Sequence, residues 1–148
     1  MIYSKKWDDR FIDLAYMVAG WSKDPTTKVG AVIVDPQRNI VSVGYNGLNS
    51  FANDDLEYKI ISREEKRNRT IHAELNAIFN AAKNGSLVKD TTLYITYPPC
   101  SNCALAIIQS GIVEVVYPKS AKLHDDWKES NERSVSLFME AQILMRSI

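Results

Sequence analysis

Cysteine and histidine are scarce in this chain of 148 residues, with two of each. Cys100 and Cys103 stand three positions apart, which excludes a disulfide framework. A reducing cytoplasm is the simplest home for such a close, unoxidised thiol pair. An excess of one charge is also missing. Lys plus Arg number 18 and Asp plus Glu number 18, which argues against a nucleic-acid polymer as partner, since that usually demands a basic face. No apolar run approaches the roughly 18 residues of a membrane span, and residues 1–8 lack the apolar core of a signal peptide, so no membrane partner is expected. Repeats and low-complexity tracts are absent. The rest is ordinary: 45% hydrophobic and 24% charged residues, as in globular proteins, over a length that suits one domain, residues 1–148, with a proper core.

Apolar spacing predicts a first helix over 7–21, with Trp7, Phe11, Leu14, Ala15 and Val18 on a core-facing stripe and Asp8, Asp9 and Arg10 off it. Pro25 breaks the polar loop 22–27 away from helical geometry; its Ser, Lys and Thr donors either connect elements or hold a phosphate. Residues 28–34 and 40–45 read as a hairpin around the turn 35–39, leaving through Gly44-Tyr45-Asn46-Gly47. That exit is either an ordinary turn or a place where Asn46 presents its amide to a ligand. Residues 48–69 carry five acidic and five basic residues from Asp54 onward. They read as a solvated face, a lid or a subunit contact, with a short helix starting at Ser62 and Glu65 completing its capping box.

Further on, helices are expected over 71–83, stopped by Asn84-Gly85, and over 100–110, stopped by Gly111. Strands are expected at 91–96 and 112–117. A polar loop, 118–131, holds His124; a helix over 132–140 and a short edge strand at 143–145 follow. This order gives an α/β three-layer sandwich, a five-stranded mixed sheet between helices.

Two motifs stand where helices begin. One is His72-Ala73-Glu74, the other Pro99-Cys100-Ser101-Asn102-Cys103. Cys100 and Cys103 lie at i and i+3 on one helix face, and helix N-termini favour thiolate. One imidazole and two thiolates make the three protein ligands of a catalytic zinc, with a fourth position open. Glu74 is a separate acid/base. Zinc lowers the pKa of bound water to about 7, and a nearby carboxylate is needed to carry protons. A lone Cys-x-x-Cys can be redox-active or part of a structural zinc knuckle, but H-x-E followed by P-C-x-x-C is the signature of zinc deaminases, with the Glu a non-ligand.

From Trp7 to about Val116 the chain resembles the deoxycytidylate (dCMP) deaminases of the cytidine deaminase superfamily. The matching pieces are Trp7-Asp8, Ser22-Lys23-Asp24-Pro25, Val29-Gly30-Ala31-Val32-Ile33, Gly44-Tyr45-Asn46-Gly47, His72 through Ile78, Pro99-Cys100-x-x-Cys103-Ala104, and Ile108-Gln109-Ser110-Gly111-Ile112. The resemblance implies hydrolysis of dCMP to dUMP and ammonia, feeding thymidylate synthesis, in a homo-oligomer, usually a hexamer. It implies zinc on His72, Cys100 and Cys103, proton transfer by Glu74, base reading by the Ala73 backbone, sugar contact by Asn46, and phosphate contact near Ser22 and Lys23. It also implies activation by dCTP and inhibition by dTTP near Gly44, Tyr45 and Gly47. Other members carry a second zinc on a Cys after the Gly-Tyr-Asn-Gly loop. Residues 48–55 contain none, so one zinc per chain is expected. Where a Tyr touches the phosphate in other members, this chain offers His124 or Lys122. Rival readings are deamination of dCTP, of cytidine, or of adenosine in tRNA, and a non-catalytic zinc module, for which Glu74 would have no use.

Overall fold

The computed structural model describes residues 4–148, and among them six helices and five strands. The helices are α1 (Lys5–Ala19), α2 (Asp54–Ile60), α3 (Arg63–Arg69), α4 (Ala73–Lys83), α5 (Ser101–Ser110) and α6 (Asp125–Glu140). The strands are β1 (Gly30–Val34), β2 (Ile40–Tyr45), β3 (Thr92–Ile95), β4 (Glu114–Tyr117) and β5 (Leu144–Ser147). They form one sheet in the order β2-β1-β3-β4-β5. β1 runs antiparallel to both neighbours, and β3, β4 and β5 are parallel. The mixed sheet follows from the connections: a tight turn joins β1 to β2, whereas helices carry the chain from β3 to β4 and from β4 to β5.

Both faces of the sheet are covered. Alternation along the strands sends Ala31, Ile33, Leu93, Ile95 and Val115 against α4, α5 and Phe138 of α6. Val32, Val34, Tyr94 and Val116 meet Phe11, Ile12 and Ala15 of α1 on the other face. Two glycines set the spacing. A Cβ on Gly30 would fall on the Ala15 carbonyl oxygen and the Ala19 nitrogen of α1; one on Gly44 would fall on Ala73 and Ala77 backbone atoms of α4. Each helix therefore lies directly on strand backbone, and on the α4 side the contact is also hydrogen-bonded. Ser42 Oγ donates to the Ala77 carbonyl at 2.7 Å, Asn80 Nδ2 to that of Val43 at 2.9 Å, and Asn76 Nδ2 to that of Tyr45 at 2.7 Å.

The three-layer α/β sandwich expected from the sequence is the observed one. Three local expectations change. Asp8 is not on a solvent face. It is buried, accepts from Tyr94 Oη at 2.7 Å, and pairs with Arg146, which also holds the buried Glu114. α6 begins at Asp125, not at 132, so His124 ends a loop rather than sitting within one. The segment before α3 contains a further helix, α2, started by Asn53, whose side chain accepts from the Leu56 amide. Ser62 does start α3 by accepting from the Glu65 amide at 3.1 Å.

Candidate active site

His72 and Cys100 occupy the N-cap positions of α4 and α5, in extended backbone conformation. β1 and β3 are adjacent, α4 rests on the β1–β2 side, and α5 leaves the end of β3. The two helix starts therefore converge. His72 Nδ1 lies 3.5 Å from Cys100 Sγ and 3.4 Å from Cys103 Sγ, and the three ligand atoms fall within 4.8 Å of one another. Zinc bonds of about 2.0–2.1 Å to nitrogen and about 2.3 Å to sulfur put the two atoms of a tetrahedral ion about 3.5 Å apart. The donor set and its spacing fit zinc.

Glu74 sits in the first turn of α4 and is 4% exposed. Burial raises its carboxyl pKa to about 7, against the opposing charge of His72. Of the two thiols, Cys100 is lowered to about 4, first by a hydrogen bond with Cys103, while Cys103 is pushed up by sharing that hydrogen with Cys100 and by burial. His72 is raised, mainly through its contact with Cys100. The Trp127 ring stands edge-on to His72 at 5.9 Å.

These groups open into a cavity of about 570 Å³, within the range of small-molecule sites. His72, Ala73, Glu74 and Cys100 line it, as does Asn46. Asn46 is 6% exposed. Its Oδ1 accepts from the Val29 amide and its Nδ2 donates to the Thr27 carbonyl, both at 2.8 Å. Ser22 and Lys23 are not among the lining residues. The buried Ser22 hydroxyl donates to the Asn46 carbonyl at 2.7 Å, and Lys23 lies 3.6 Å from Asp54. Within Gly44-Tyr45-Asn46-Gly47, Gly44 is pressed against α4, Tyr45 meets Trp21 edge-on, and Gly47 bridges to Ile71. His124 lines the cavity and Lys122 does not.

Sequence reading missed the cations. Arg63, Lys66 and Arg67 of α3 line the same cavity, although the run 62–69 reads as a solvated face. Their spacing at i, i+3 and i+4 was the available signal. Lys66 is anchored: its Nζ donates to Asp24 Oδ1 at 3.0 Å and to Thr26 Oγ1 at 2.5 Å. Asp24 is buried and also accepts from the Thr26 and Thr27 amides.

A three-layer α/β fold with His-x-Glu and Cys-x-x-Cys meeting at two helix starts defines a zinc-dependent deaminase. The model of the cytidine and deoxycytidylate deaminase zinc-binding region matches residues 5–119. Among similar proteins, an uncharacterized deaminase of Aliivibrio fischeri is 40% identical over 139 residues, covering 93% of this chain and 90% of its own. The deoxycytidylate deaminase of Mus musculus is 39% identical over 145 residues, covering 95% and 79%. In fold, the dCMP deaminase of cyanophage S-TIM5, solved with dCMP and dUMP, superposes with a TM-score of 0.82 over 99% of this chain and 100% of that one, at 19% identity. The chain belongs to the cytidine and deoxycytidylate deaminase family.

Proposed function

We propose that this protein hydrolyses dCMP to dUMP and ammonia. The observation that carries this reading is one cavity joining two chemistries: a buried carboxylate beside a His/Cys/Cys ligand set, and three cations on α3. The names of the relatives at about 40% identity support the deoxycytidylate substrate.

His72, Cys100 and Cys103 would hold one zinc per chain, which when bound makes water nucleophilic at neutral pH. Glu74 takes a proton from the water that adds to C4 of cytosine and delivers it to N3. It then serves as the proton relay for the leaving amino group. The C4–N bond breaks, ammonia departs and a C4 carbonyl remains. A buried carboxyl fixed in the first turn of α4 suits a group that must accept and donate in one cycle. Trp127 and the Ala73 backbone flank the base, and Asn46 contacts the sugar. Since the Asn46 amide is already bonded to Val29 and Thr27, it meets the sugar pre-oriented. Ser22 supports it from behind through its main-chain carbonyl.

The same reading places the enzyme in the cytoplasmic supply of dUMP for thymidylate synthesis. It gives the enzyme a homo-hexameric assembly in which dCTP activates and dTTP inhibits near Gly44, Tyr45 and Gly47. Tyr45 is 40% exposed beside Trp21 on the edge strand β2, where an effector or a second subunit can reach it. Saturation curves for dCMP with and without dCTP and dTTP test this regulation, and curves that coincide would refute it.

The deciding experiment is ammonia release from cytidine, deoxycytidine, dCMP and dCTP. The expected result is the highest kcat/KM on dCMP. A protein fastest on cytidine or dCTP would move the assignment to that substrate, and one inert on all four would remove it.

A further inference from the structure

Two carboxylates share three of the four cations of α3, in unequal ways. Asp24 grips Lys66 in a part-buried pair, with side chains 3% and 16% exposed. Asp126, in the first turn of α6, faces Arg67 at 2.7 Å and Arg63 at 3.3 Å. Both guanidiniums converge on the same Asp126 oxygen, Oδ2. Asp126 is half-exposed, as are the arginines to similar or greater degree. All five residues line the cavity that contains Glu74. The fourth cation of this stretch, Arg69, does not line it and pairs instead with Glu57 at 2.9 Å.

Exposed ion pairs are weak and readily exchanged, whereas a guanidinium binds phosphate through a bidentate fork. An anion arriving between α3 and α6 can therefore take Arg63 and Arg67 from Asp126 at small cost while Lys66 stays fixed. The exchange leaves Asp126 beside the anion as an unpaired negative charge. With Lys66 held by Asp24, the two guanidiniums of Arg63 and Arg67 match one dianionic phosphate, and further phosphates meet the repulsion of Asp126.

Building on the dCMP reading, we propose that Arg63 and Arg67 form an exchangeable 5′-phosphate clamp and that Asp126 sets its preference for a monophosphate over a triphosphate. The clamp gives the nucleotide its affinity. The carboxylate gives the limit on its charge.

The test measures kcat and KM for deoxycytidine, dCMP and dCTP in wild type, Arg67→Gln, Arg67→Lys and Asp126→Asn, with zinc content and the urea midpoint as checks of folding. For Arg67→Gln the dCMP/deoxycytidine ratio of kcat/KM is expected to fall about 10- to 100-fold, through KM. Arg67→Lys recovers part of it. For Asp126→Asn the dCTP/dCMP ratio is expected to rise about two- to fivefold. An unchanged dCMP/deoxycytidine ratio in Arg67→Gln overturns the clamp, and an unchanged dCTP/dCMP ratio in Asp126→Asn overturns the charge limit. Should Arg67→Gln fail the folding checks, Arg67→Lys decides: a fold with full dCMP preference means the guanidinium fork plays no part, which also overturns the clamp. Wild-type protein inert on all three compounds removes the dCMP reading and this inference with it. Turnover of dCMP with insensitive ratios removes this inference alone.

Discussion

The two ends of the cavity are built differently. At the inner end, Ala73, Glu74, Ala77 and Cys103 are buried, and α4 is tied to β2 by three side-chain hydrogen bonds and a glycine contact. At the rim, every residue of α2 and α3 remains at least partly exposed, and α3 reaches α6 through ion pairs. Proton transfer tolerates little displacement, and the groups proposed to perform it stand on elements held by packing. Recognition of a charged tail has to admit and release a ligand, and ion pairs in water can do that. The contrast teaches that the same fold assigns rigidity by chemistry.

Substitutions at the inner end should have the largest effects. Cys100→Ala removes one of the three proposed ligands and should abolish both metal retention and turnover, checked by metal analysis beside ammonia release. Glu74→Gln keeps the proposed ligands and removes the proposed proton carrier. It should retain zinc and lower kcat by about 10²–10⁴-fold, and near-normal kcat would refute the role given to Glu74.

Gly44→Ala asks whether the inner end is as rigid as described. The added Cβ must displace α4, so a loss of about 1–3 kcal/mol is expected in urea unfolding, with a fall in kcat. Asp24 lies between the two regimes. Its carboxyl is lowered: burial works to raise it, but the Thr26 and Thr27 amides and Lys66 outweigh burial. A depressed carboxylate contributes stability in full above its unfolded pKa of about 3.9, and loses it as pH falls through the lower folded value. The urea midpoint of wild type should therefore drop in that acid window, and Asp24→Asn should flatten part of the drop. The smallest effect belongs to the rim. Arg63→Gln with Arg67→Gln should leave the urea midpoint within error, since half-exposed pairs contribute little. A large shift would show that the rim is structural and erase the contrast.

What the sequence disclosed follows the same division. The meeting of His72, Cys100 and Cys103 beside Glu74 was legible because their spacing is local and the helix starts around them carry ordinary signals. The hairpin was legible by its apolar run and turn. α2 was not, because it buries no complete face and so shows no apolar period. The start of α6 was missed for a like reason: Ser134 and Phe138, its buried residues, lie in its second half. Asp8 reads as a surface residue until Tyr94 and Arg146 arrive from strands 86 and 138 positions away. The α3 cations, read in isolation, are an exposed charge run. Only the cavity shows what they border.

The N-cap positions of the helices carry one more consequence. α2 and α3 begin on Asn53 and Ser62, which accept from their own first-turn amides. α4 begins on His72, which among the described residues makes no such side-chain bond. In the proposed reading, the residue that would ordinarily fasten the start of that helix holds the metal instead. Chelation should then register as faster deuterium uptake at the leading amides of α4, with the sheet beneath it unaffected, so that isotope exchange would read metal occupancy one helix turn at a time.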